Sequence, residues 1–83
     1  MKIVEIVWRD HSTTHGWSTG LAEPMTVREI GYLALEKDDY YCLVDSEVIL
    51  DERAGTSKWG CSTAILKSDV ISYKEIGDSH AAA

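Results

Sequence analysis

The sequence predicts an all-β protein, a small barrel of about five strands with a long loop after the first. Three observations carry this. Short windows rich in Val, Ile, Leu and Tyr alternate apolar with polar residues, as half-buried strands do. Turn signals built from Gly, Pro and paired Asp separate those windows. At 83 residues the chain has room for one domain with one limited core.

Residues 2–9 form the first strand, with Val4, Ile6 and Trp8 on one face and Ile3, Glu5, Val7 and Arg9 on the other. Residues 10–20 contain Gly16 and Gly20 without apolar periodicity, so they read as a loop, long for so small a domain. Pro24 has no N–H to give a ladder, which makes residues 21–25 an irregular approach. Residues 26–36 carry two patterns. Thr26 and Glu29 have capping-box spacing, whereas Val27, Ile30, Gly31 and Tyr32 favour a strand bent at Gly31, the preferred reading. Lys37-Asp38-Asp39 is a tight polar turn into a dense β segment over residues 40–44, and together these make a hairpin.

Residues 46–50 make a weaker strand, followed by a polar loop over residues 51–60 with Trp59 near its end. Strand character returns over residues 61–67. Ser68 and Asp69 suggest a single 3₁₀ turn, with Ser68 as its cap, before a last strand over residues 70–76. The domain is thus expected to cover residues 1–76, with residues 77–83 (GDSHAAA) as a flexible tail.

Charge and cysteine content narrow the function classes. Eight Lys and Arg against fourteen Asp and Glu give a net charge of −6, which speaks against a long nucleic acid held by summed electrostatics. A small anion needs only a local cluster, drawn from Arg9, Arg28 or Lys58, because charges are screened over about 8 Å. No apolar run approaches the roughly 20 residues of a membrane span, and the opening MKIVEIVWRD carries Glu5 inside its apolar segment, unlike a signal peptide. The expectation is a cytoplasmic protein. Cys42 and Cys61 stand 19 positions apart with no C-x-x-C pair, so they read as two reduced thiols and no metal site is expected.

Catalysis finds little support. Cys42 lies mid-strand among apolar neighbours, Cys61 has no base beside it, and the adjacent Asp38 and Asp39 point different ways in a strand-like turn. No phosphate-cradling glycine motif occurs. The chain is therefore expected to be no enzyme and to need no cofactor.

Binding chemistry gathers in one place. The stretch Trp8-Arg9-Asp10-His11-Ser12-Thr13-Thr14-His15-Gly16-Trp17 holds two of the three tryptophans, two of the three histidines and three hydroxyls. Indoles offer flat faces to a base, the hydroxyls and His11 offer hydrogen bonds, and Arg9 offers a planar cation to phosphate, with Arg28 a further cation. The candidate ligand residues are Trp8, Arg9, His11, Ser12, Thr13, Thr14, Trp17 and Arg28. Each has a plainer reading. Trp8 is in phase with Val4 and Ile6 and suits the core or its rim; Trp17 suits a lid on the core. The hydroxyls can satisfy loop backbone, Arg9 can pair with Asp10 or Glu29, and Arg28 can be a solvated charge. His11 and His15 have helical spacing in a loop, which makes no metal pair.

From Gly31-x-Leu33 through Asp38-Asp39-Tyr40, Leu43, Ile65-Leu66-Lys67 and a turn into Val70-Ile71, the chain resembles the Sm-like and SH3-like barrels. That resemblance implies a fold and no activity. An RNA-binding Sm-like protein would need a basic last hairpin where this chain has Leu66-Lys67-Ser68-Asp69, so RNA is not implied.

Over residues 1–76 the landmarks Trp8-Arg9-Asp10, Gly16-Trp17, Gly31-Tyr32-Leu33 and Asp38-Asp39-Tyr40 resemble those of short phage-encoded proteins with a W-x-D strand end and a G-W loop. Some of these are similar to phage anti-CBASS sponges, which withhold cyclic nucleotide immune signals from host effectors. The resemblance implies a homo-oligomeric, non-enzymatic protein of the host cytoplasm that sequesters a cyclic oligonucleotide. Two other classes stay open. One is a protein-interaction module whose aromatic and acidic surface meets a host protein; the other is an assembly component of a phage particle.

Overall fold

In a computed structural model, residues 1–11, 17, 20–48 and 58–79 are described. The β-branched alternation at the start of the chain becomes β1 (Lys2–Asp10), which pairs antiparallel on one side with β2 (Met25–Glu36) and on the other with β7 (Val70–Asp78). Beyond β2 lie β3 (Tyr40–Val44) and β6 (Ser62–Leu66), so the five-stranded order is β6-β3-β2-β1-β7. A 3₁₀ turn (Lys67–Asp69) joins β6 to β7. Among the described residues the protein is all-β apart from that turn.

Two short strands, β4 (Glu47–Val48) and β5 (Lys58–Trp59), prolong the β3–β6 hairpin in unbroken register, Val44 facing Ser62 and Glu47 facing Trp59. Between the ladders, the Gly60 N–H donates to Ser46 O at 2.9 Å. A Cβ on Gly60 would overlap Ser46 Oγ and stand 2.7 Å from Asp45 Oδ1, so these two side chains would have to shift to admit one.

The main core cluster lies on one face of this sheet, while Val44, next to Leu43 in β3 and so on the other face, is buried as well. Val4, Ile6, Leu43 and Ile65 are buried together, with Trp8, Leu33, Tyr41, Val70 and Tyr73 packed around them. With no second layer among the described residues, such burial requires the sheet to fold over its own inner face. The tyrosines show how far. In a flat sheet β3 and β7 would stand three spacings of about 4.8 Å apart, yet the Tyr41 and Tyr73 rings stack with centroids 5.0 Å apart and planes 19° from parallel. Lys67 adds to this contact, its Nζ 4.9 Å above the Tyr41 ring centroid and 2.7 Å from Glu36 Oε2, while its backbone N–H donates to Asp39 O.

Several local expectations change. The β2–β3 pairing has a register shift between Leu33 and Leu35, which the sequence reading did not foresee. Gly31 is needed for close approach, since a Cβ there would stand 2.9 Å from Val44 O. Ser68 does not cap the 3₁₀ turn: Leu66 occupies the cap position and makes no side-chain bond. The final strand runs on through Gly77 and Asp78, and the Ser79 N–H donates to Met1 O at 3.0 Å, because β1 offers a partner that far. The expected loop over residues 51–60 includes strand β5, and its residues 51–57 lie outside the described residues. Of the weaker strand over residues 46–50, Glu47 and Val48 are β4.

Candidate functional site

β1 and the first part of β2 run past β3 as an arm, flanked by β7 as far as Trp8 and two-stranded beyond it, with Trp8 facing Val27, Arg9 facing Thr26 and Asp10 facing Met25. The candidate residues divide between its two sides because successive strand residues alternate. Trp8 points to the inner side, where its indole packs against the core; its Nε1 is buried and has no acceptor among the described residues. Arg9 points to the outer side. The two neighbours therefore do not share one ligand surface, and Trp8 takes the core position that its phase with Val4 and Ile6 allows.

On the outer side Arg9 is exposed, and neither Asp10 nor Glu29 pairs with it among the described residues. Arg28 faces Val7 in the register, which makes it the diagonal neighbour of Arg9 on the same side, about 7–8 Å away by strand geometry. Thr26, directly opposite Arg9, stands exposed beside them. Arg28 Nε lies 3.6 Å from Glu5 Oε1 while the Arg28 side chain stays 70% exposed, so that pair leaves most of its donors open. The outer side thus carries two guanidinium groups and a hydroxyl on a chain whose net charge is −6. Sequence reasoning missed Thr26 as a site residue, treating it only as a cap; the register that puts it opposite Arg9 was the missing signal.

Exposed apolar residues occur at the far end of the same arm, where Asp10 faces Met25, and in the chain beyond it. Trp17 is fully exposed, Leu21 is 92% exposed and Met25 54% exposed. His11 is exposed just past β1. Ser12, Thr13 and Thr14, expected to contact a ligand, lie outside the described residues, as does His15.

The described shallow concavity lies elsewhere, at the β2–β3 turn, lined by Glu36, Lys37, Asp38, Asp39 and Tyr40. Its acidic lining suits no anion, and it contains none of the candidates. Next to it, the hydrogen bond to Glu36 holds the Lys67 ammonium above the ordinary lysine range, and burial raises the Tyr73 phenol above the ordinary tyrosine range. Glu75, 2.9 Å from Lys2 Nζ, raises Lys2 in the same way. This cluster of aromatic rings and ion pairs fastens β2, β3 and β7 together; its components Tyr41, Tyr73 and Lys67 gave no sign of partnership in the sequence, where they stand far apart.

Cys42 is half-buried and Cys61 exposed, both as free thiols. Among the described residues no three metal-ligating side chains come together, and no helix is long and apolar enough to cross a membrane. No protein family, no characterised protein and no solved structure matches this chain.

Proposed function

We propose that this protein is a non-catalytic binding module that captures a small nucleotide-type anion, of the cyclic oligonucleotide class, on the outer side of the β1–β2 arm. The observation that carries the reading is the outward strip of Arg9, Thr26 and Arg28. Guanidinium groups match phosphate oxygens in shape and charge, and Trp17 supplies an open indole on which a base can stack. A cyclic dinucleotide carries one negative charge on each of its two phosphodiesters, which two guanidinium groups would balance, while a polymer would meet the repulsion of the remaining acidic surface. The order β7-β1-β2-β3-β6, with a 3₁₀ turn joining the two outer strands, supports reading the scaffold as a small barrel of the SH3-like or Sm-like kind. In that role the protein would act as a phage-encoded sponge for an immune signal.

Calorimetric titration with a panel of cyclic di- and trinucleotides tests this. One of them should bind, Trp17→Ala should weaken it by about 1–3 kcal/mol, and the double variant Arg9→Ala, Arg28→Ala should weaken it and flatten its salt dependence. Absence of heat with every ligand abandons the reading.

A second reading is a protein-interaction module, favoured by the exposed Leu21 and Met25 alongside Trp17. Aromatic and apolar anchors of this kind dominate protein contacts. It expects silence in the nucleotide titrations and a host protein whose cross-linking to the wild type disappears in Trp17→Ala.

A further inference from the structure

The five-stranded sheet ends in two edges, β6 and β7, and among the described residues neither has a strand beyond it. An open edge is a template for another strand unless charge, proline or irregularity guards it. The two edges differ in that respect. β7 carries Lys74, Glu75 and Asp78 and is bulged against β1 at both ends of their pairing. β6 reads STAIL, with no charge, proline or glycine, and its pairing with β3 is regular throughout. It is the one smooth, uncharged edge that this acidic protein presents among the described residues.

We propose that β6 is the surface through which a second copy of this chain docks, antiparallel and about a two-fold axis at Ala64. That register is self-complementary. Ala64, exposed on the outer side, meets the partner's Ala64 at the axis, where two methyl groups fit and larger groups would collide. Thr63 then faces the partner's Ile65, a β-branched pair of the kind that stabilises sheets. Ser62 faces the partner's Leu66, which covers a leucine 51% exposed in the single chain. Because residues of like parity share a face, the register keeps inner residues with inner and outer with outer. The acidic residues of β7 and the β2–β3 turn stay outside the contact, so the copies meet where their mutual repulsion is least. Arg9 on β1 and Arg28 on β2 are separated from this edge by β3, so the dimer leaves both arms free.

A five-residue ladder is small for an interface, so the dimer is expected to dissociate in the micromolar range. Sedimentation from about 1 to 300 μM spans that range. The wild type should rise from 9.2 kDa to twice that mass. Ala64→Lys, which sets two ammonium groups at the axis, should hold the single-chain mass throughout, and so should Ser62→Lys at a second exposed position of the same edge. Ser72→Lys on β7 should still double. Circular dichroism identifies which variants are folded. A wild type that never exceeds one chain, a mass above two chains, doubling in a folded Ala64→Lys or Ser62→Lys, or loss of doubling in Ser72→Lys would overturn the proposal. Since no nucleotide is present, the outcome is independent of whether the arm binds one.

Discussion

Trp8 and Trp17 show at the scale of single residues how the same side chain takes opposite roles. Trp8 is in phase with the core-facing positions of β1 and loses its face to Ile6, Val70 and their neighbours, whereas Trp17 meets solvent on every side. Trp8→Ala should therefore lower the free energy of unfolding in urea by about 2–4 kcal/mol, less than the full cost at a sealed site because the indole is only partly buried. Trp17→Ala should shift it by no more than about 0.5 kcal/mol. Equal losses from the two would reject this division. The phase of Trp8 was legible in the sequence. The openness of Trp17 was not, since a loop indole can cover a core or leave it, and only the path of the chain decides.

At the scale of elements, the strand pattern was readable because alternation and turn chemistry are local. β1, the β2–β3 hairpin and the last strand follow from β-branched alternation, Pro24, and Lys37-Asp38-Asp39. What escaped was register. Nothing local says that Arg9 faces Thr26, or that Arg28 falls diagonally beside Arg9, and the candidate site depends on both. Gly31 illustrates the same limit: it reads as a bend, yet its place opposite Val4 and against the Val44 carbonyl is a matter of how β2 crosses β3. Gly31→Ala should cost about 1–3 kcal/mol, because backbone rather than a movable side chain blocks the new methyl group. A thermal midpoint equal to the wild type's would show that the strands can part without cost.

For the whole molecule, Lys2, Lys67 and Tyr73 hold their protons more tightly when folded. Hydrogen bonds donated to Glu36 and Glu75 raise Lys67 and Lys2, and burial raises Tyr73. The folded state then binds more protons than the unfolded chain, so these contributions are complete below about pH 10 and fade as pH rises past the ordinary lysine and tyrosine values. The midpoint of thermal unfolding should fall above pH 10, and Tyr73→Phe, which keeps the ring stack but cannot ionise, should fall less steeply. Identical slopes would remove Tyr73 from the account.

The sequence by itself determined the class of structure, the approximate positions of the longer strands, and which side chains of the first strand share a face, because those depend on backbone preference and a period of two residues. Only the tertiary structure decided which faces meet. Tyr41 finds Tyr73, Lys67 finds Glu36, and Arg9 finds Arg28 beside it, while Trp8 is drawn away from the surface. The reason is that pairing partners are chosen by burying a common apolar face, a property of the whole sheet that no short window of residues contains.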